Sequence, residues 1–110
     1  ILRDEAAAVK QAIEQALGPQ AKTIALDRKG RKIDTLQLAR QQQQWIDESQ
    51  NVAIIIGGPE GLEATFQSEA DALWSLSALT FAHPLVRIML AEQLYRAWSI
   101  NANLPYHRGD

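Results

Sequence analysis

The sequence contains no cysteine, which excludes disulfide frameworks, thiolate nucleophiles and cysteine-ligated metals together. Only two histidines are present, His83 and His107, so little is left from which to build a metal centre, and none is expected. No apolar run is long enough to span a bilayer and nothing reads as a signal peptide; the expectation is a soluble, cytoplasmic protein. Positive charge is not in excess either. Eleven Lys and Arg face 13 Asp and Glu, which leaves no global field to draw in nucleic acid, so any RNA contact has to be local. The G-x-S-x-G elbow, the G-x-G-x-x-G fingerprint and the P-loop are all missing, which argues against a serine hydrolase and against a nucleotide held by its phosphates. The chain also lacks an initial methionine: it opens "ILRDEAAAVK", already inside a helical pattern, and a natural start further upstream is expected.

What is present suffices for one domain over residues 1–110, since 46% of the 110 residues are hydrophobic. Leu2, Ala6, Val9, Ile13 and Ala16 or Leu17 recur at three- or four-residue steps, which predicts an amphipathic helix ended by Gly18 and Pro19. "KTIALD", Lys22 to Asp27, reads as a short strand, and "RKGRK" as a glycine-centred basic loop. Asp34 or Thr35 is placed to cap a second helix that buries Leu38, Ala39, Trp45 and Ile46; the run Gln41 to Gln44 is expected on its solvated face. "VAIII", Val52 to Ile56, shows no polar alternation and predicts a strand buried on both faces, hence an α/β fold with a parallel sheet. A further helix is expected over Leu62 to Ala72, then the run "LWSLSALTF", then a long helix from Pro84 to about Asn101. The apolar side chains of that last helix spread nearly all the way round it and leave Glu92, Arg96 and Ser99 as the polar arc. A central helix in a large core would explain this, but in so small a chain a partner subunit explains it better.

Three stretches offer chemistry. In "IIIGGPEGL" a strand runs into Gly57 and Gly58, where main chain can approach a ligand closely ahead of a helix N-terminus, although a tight strand-to-helix turn satisfies the same residues. "SLSALTFAHPLVR", Ser75 to Arg87, combines hydroxyl and apolar residues that suit an adenine edge and a thioether, or that simply cap and turn the chain. The tail "PYHR" sets an aromatic ring, a titratable imidazole and a fixed cation side by side, which suits an RNA base or merely a frayed end. Arg28, Lys29, Arg31 and Lys32 form a basic loop, either solvated or in contact with phosphate.

Taken in order, "LDRKGRK", "IIIGGPEGL", "SLSALTFAHPLVR" with "LAEQLYRAW", and "PYHR" resemble the ribosomal large subunit methyltransferase H family of the SPOUT class, over nearly the whole chain. The resemblance implies a trefoil α/β knot, a parallel sheet flanked by helices, and a homodimer that uses S-adenosylmethionine (SAM) to methylate N3 of a pseudouridine in 23S rRNA of the assembled ribosome. It implies a cofactor site at Leu26, Gly57, Leu76, Ser77, Ala78, Leu79, Thr80 and Phe81, catalytic roles for Arg108 and His107, and dimerisation through the long helix. Relative to the family pattern, an N-terminal strand, helix and strand are missing from the front. The rival readings are a non-catalytic dimeric ribosome- or RNA-binding module and an α/β domain for another adenosine ligand.

Overall fold

The computed structural model describes residues 2–57, 69–77, 79 and 81–108. Within them the chain forms helix α1 (Leu2–Leu17), strand β1 (Lys22–Lys32), helix α2 (Thr35–Asp47), strands β2 (Val52–Ile56) and β3 (Ala72–Ser75), and helix α3 (His83–Asn101). The three strands make a parallel sheet in the order β2-β1-β3. The expected helix over Leu62 to Ala72 falls largely outside the described residues. Its last residue, Ala72, opens β3 instead, because Asp71 has turned to clip the sheet: its carboxylate accepts the Thr23 amide at 2.7 Å and its own amide reaches the Thr23 carbonyl at 2.9 Å.

The strand buried on both faces is β1, not β2. Ile24 and Ala25 are fully buried and Leu26 nearly so, while every residue of β2 is only half-buried. Position explains the difference: β1 lies between two neighbours, whereas β2 is an edge of the described sheet. The composition of "VAIII" reports strand propensity, but only topology decides how much of it is covered.

Strand β1 also runs further than the sequence suggests. It pairs with β3 through Ile24, Ala25 and Leu26, then leaves the ladder at residues 27–30 and returns at Arg31, opposite the same Trp74 that faces Leu26. The presumed basic loop is therefore a large bulge within a strand. Gly30 is required there for space: a Cβ on it would lie 2.6 Å from the Trp74 carbonyl carbon and 2.7 Å from that of Leu73.

Helix α2 begins as expected. The Asp34 carboxylate accepts the Gln37 amide at 2.7 Å and the Gln37 side chain accepts the Asp34 amide at 2.9 Å, a reciprocal capping box. It ends where Ser49 takes φ 51°, so that Ser49 donates to Ile46 and Gln50 to Trp45, satisfying the last carbonyls by a left-handed cap. Trp45 stacks on Trp74 with ring centroids 6.0 Å apart, tying α2 to β3. Ile46, expected in the core, is instead 56% exposed. The glutamine run is not uniformly solvated: Gln42 donates to the Leu94 carbonyl at 3.1 Å, and with Thr35 to Gln93 and Asn101 to Ala39 it clips α2 to α3.

Helix α3 uses one face to complete the core, with Ala97 buried and Val86, Leu90, Leu94 and Ile100 packed against the cluster around Leu38, Trp45 and Trp74. The opposite face leaves Leu85, Ile88, Tyr95 and Trp98 between 45% and 67% exposed. Helix α1 forms as expected, but between Ala7 and Leu17 only Ile13 and Leu17 are even half-buried.

Candidate functional site at the carboxyl ends of the strands

Parallel strands present their carboxyl ends at one edge, where the loops expose main-chain groups. Leu26, near the buried end of the first leg of β1, has Ile56 and Trp74 as lateral partners in β2 and β3. Gly57 follows Ile56, and Leu76 and Ser77 follow shortly after Trp74. At a strand spacing of about 4.8 Å, the exits of β2 and β3 lie roughly 10 Å apart with Leu26 between them. The register thus brings together Leu26, Gly57, Leu76 and Ser77, four residues widely separated in the sequence.

Past Leu26 the sheet is uneven. Strand β1 rejoins β3 at Arg31 and pairs with it to Lys32, opposite Ser75, and Ile33 donates to the Ser75 carbonyl at 3.4 Å, whereas β2 ends at Ile56. The loop after β3 is shaped by hydroxyls. The buried Ser75 donates to the Ser77 carbonyl at 2.8 Å, and the Ser77 hydroxyl accepts the Leu79 amide at 3.0 Å. That turn leaves Leu79 68% exposed, an apolar side chain held out beside the strand ends. Phe81 is half-buried. Ala78 and Thr80 lie outside the described residues, as does Gly58.

This donor set suits the adenosine and thioether portions of SAM: main-chain groups for an adenine edge, leucine side chains for apolar walls, and no side chain at Gly57 to block a close approach. Among the described residues no group of three or more His, Cys, Asp or Glu is arranged to hold a metal ion, and no helix is long and apolar enough to cross a membrane.

The tail forms a second group of residues. Asn103 takes φ 59°, Asn103 donates to Ile100 at 3.1 Å and Leu104 to Ser99 at 2.8 Å. This left-handed cap turns the chain back along α3, and Pro105 prevents the helix from continuing. Tyr106 then packs edge-on against Tyr95 with centroids 4.7 Å apart, lies 4.9 Å from the Arg96 guanidinium, and donates to Glu92 at 3.1 Å. Arg96 is held to Glu92 through Nε at 2.9 Å and Nη2 at 2.8 Å. Its Nη1 lies 3.1 Å from His107 Nδ1. A guanidinium has donors only, so Nδ1 is the accepting atom in this contact. His107 is half-buried and Arg108 exposed.

The polar arc expected on α3 is therefore the seat of the tail. Its signal in the sequence was Glu92 and Arg96 at i, i+4 on an otherwise apolar helix, and the asparagine and proline of "NANLP". Partial burial pushes the Glu92 carboxyl upward, but hydrogen bonds from Arg96 and Tyr106, the Arg96 charge and a hydrogen bond from Gln93 outweigh it and leave the group below its ordinary value. The hydrogen bond to Glu92, joined by desolvation and the Glu92 charge, raises Tyr106 above the ordinary phenol range.

The profile of a family described as "Predicted SPOUT methyltransferase" matches residues 2–107. Proteins named ribosomal RNA large subunit methyltransferase H are similar in sequence. That of Hydrogenovibrio crunogenus is 48% identical over 87% of this chain and 62% of its own length, and that of Bordetella pertussis 48% over 93% and 65%. That of Coxiella burnetii is 49% identical over 89% of this chain and 63% of its own length. The chain thus spans a little under two thirds of the length of these relatives. With a family profile and close relatives both covering most of the sequence, this chain belongs to the SPOUT methyltransferase family.

Proposed function

We propose that this protein is a SAM-dependent ribosomal RNA methyltransferase acting on N3 of a pseudouridine in 23S rRNA within the assembled ribosome. The observation that carries the reading is the convergence of Leu26, Gly57, Leu76 and Ser77 at one sheet edge in a chain similar to ribosomal RNA methyltransferases. When bound, SAM supplies an electrophilic methyl group on a sulfonium and departs as a neutral thioether. Leu26, Gly57 and the loop from Leu76 to Phe81 hold and orient it, with Ala78 and Thr80 included on family resemblance. In the same reading the chain end threads a loop to form the trefoil knot, and the protein works in the cytoplasm.

The chain's remaining task is to bring N3 into line and manage its proton, because the imide N3–H has to be lost as the new N–CH3 bond forms. Arg108, exposed and fixed in charge, stabilises the developing imide anion. His107 is the candidate base, and Arg96 conditions that role: Nδ1 accepts a proton only after it exchanges the guanidinium for the substrate. Glu92 and Arg96 thereby act as positioning residues for the tail.

The exposed stripe of Leu85, Ile88, Tyr95 and Trp98 supports a homodimer through α3, since apolar side chains in contiguous exposure mark an interaction face. Undermethylated ribosomes incubated with the protein and methyl-labelled SAM provide the test, with the modified nucleotide located by mass spectrometry. Label on N3 of a single pseudouridine is expected. Failure to bind SAM by calorimetry would instead favour a non-catalytic RNA-binding module, and competition by adenosine compounds lacking the methionine part would favour another adenosine ligand.

A further inference from the structure

We infer that the β1 bulge is a preformed clamp for the RNA sugar-phosphate backbone, with Arg28, Lys29, Arg31 and Lys32 as its cations. The inference rests on the ribosomal RNA reading above and assigns part of the docking surface to residues outside the cofactor loops and the tail.

Four positive side chains fall within five residues of a chain whose net charge is −2. All four are exposed, and among the described residues none of them has an ion-pair partner; the ion pairs there are Lys10 with Glu69 and Arg96 with Glu92. The nearest acids in sequence are engaged with main chain. Asp27 accepts the Lys29 amide at 2.9 Å, and Asp34 accepts the Gln37 amide at 2.7 Å. Like charges this close repel one another, and a folded chain gains nothing from holding them together unless an anion answers them.

The cluster is also held in place. Gly30 seats its backbone on that of Leu73 and Trp74, the Asp27 contact pins the start of the bulge, and Arg31 and Lys32 rejoin β3 in register. A cation cluster on a fixed backbone loses less entropy on binding a polyanion than one on a mobile loop. Its location favours RNA over an acidic protein: the bulge begins immediately after Leu26, so a strand clamped there lies beside the candidate cofactor site, where an acceptor nucleotide has to be delivered. Counterion release makes such a surface readable by salt.

The experiment measures binding of the protein to undermethylated ribosomes across a salt series, for wild type, R28Q/K29Q, the charge-conserving R28K/K29R, and K10Q/R40Q as a control that removes the same charge elsewhere. At 0.1 M salt each phosphate contact contributes up to roughly 0.7–0.9 decade of affinity. The expected result is that R28Q/K29Q weakens binding by about tenfold or more and flattens the slope of log K against log salt by about 1–2, while R28K/K29R and the control stay near wild type. SAM affinity measured on the same proteins separates the two proposals: retained cofactor binding in R28Q/K29Q places the loss in docking, whereas a protein that binds ribosomes through the bulge but no SAM upholds this inference and sinks the methyltransferase reading. An unchanged salt slope in R28Q/K29Q, equal losses in the control, or no ribosome binding by wild type would overturn the clamp.

Discussion

Replacing Gly30 by alanine tests the account of β1 most directly. The added Cβ would stand 2.6–2.8 Å from three backbone atoms of Leu73 and Trp74, against ordinary contacts of about 3.5–4.0 Å. Relief needs β1 and β3 to part by about 1 Å, and since both partners are main chain no side chain can swing aside. A separation of that size takes inter-strand bonds of about 2.9 Å out of hydrogen-bonding range. Two or three bonds around Arg31, Lys32 and Ile33 would be lost at about 1 kcal/mol each, to which overpacking adds about 1–3 kcal/mol. We expect a loss of about 3–6 kcal/mol, which for a domain of this size lowers Tm by roughly 12 °C or more. Gly18→Ala is the internal control. Gly18 has φ 87° with nothing within 4 Å, so alanine there meets only the left-handed backbone penalty of about 1–2 kcal/mol. Urea and thermal unfolding of both variants decide the matter. If Gly30→Ala proved no more damaging than Gly18→Ala, the close seating of the bulge on β3 would be refuted.

Three further outcomes are expected. Arg108→Ala should reduce single-turnover methylation of ribosomes by about 10²–10³ with SAM affinity unchanged; full turnover would remove Arg108 from the chemistry. Ile88→Asp should raise the dimer dissociation constant at least about thirtyfold by sedimentation, and a dimer that persisted would move the interface away from α3. Docking of the tail should depend on pH at both ends. Glu92 is held below its ordinary value, so its contribution is present above the unfolded carboxyl range and lost as pH falls through the lowered folded value; Tyr106 is raised, so its contribution is present below about 10 and lost as pH climbs through the raised value. The Tyr106 ring resonance followed by NMR would report both limbs, and Glu92→Gln should abolish the acid one.

Local signals carried much of this fold. Asp34 and Gln37 announce the start of α2 by side-chain chemistry three residues apart, and Pro84 announces the start of α3. That α3 carries more apolar surface than one sheet covers, and that Glu92 and Arg96 share an arc, also follow from spacing alone, because both are properties of one helix; Ser99, expected on the same arc, is instead fully buried. What stayed hidden depends on who neighbours whom. The composition of "KTIALD" and of "VAIII" says strand for both, yet only the order β2-β1-β3 makes the first one central. Gly30 looked like a loop glycine because nothing near it in sequence reveals that Trp74 passes underneath. Family resemblance supplied the candidate site residues; the register explains why Leu26, Gly57, Leu76 and Ser77 meet. The seat of the tail required two turns of helix and a left-handed asparagine acting together, a combination with no single-residue signature.

The central placement of β1 also bears on how the chain is made. During synthesis β1 emerges ahead of both its partners, the first following about thirty residues later and the second about fifty, as the spans closed by Gln50 on Gln20 and by Asp71 on Thr23 indicate. Until Ala72 to Ser75 leave the exit tunnel, the most deeply buried strand of the described sheet has an open edge in a nascent polypeptide. Pauses in translation within that interval would prolong its exposure to chaperones and to aggregation, so codon choice between residues 52 and 72 is where yield of this protein should be most sensitive.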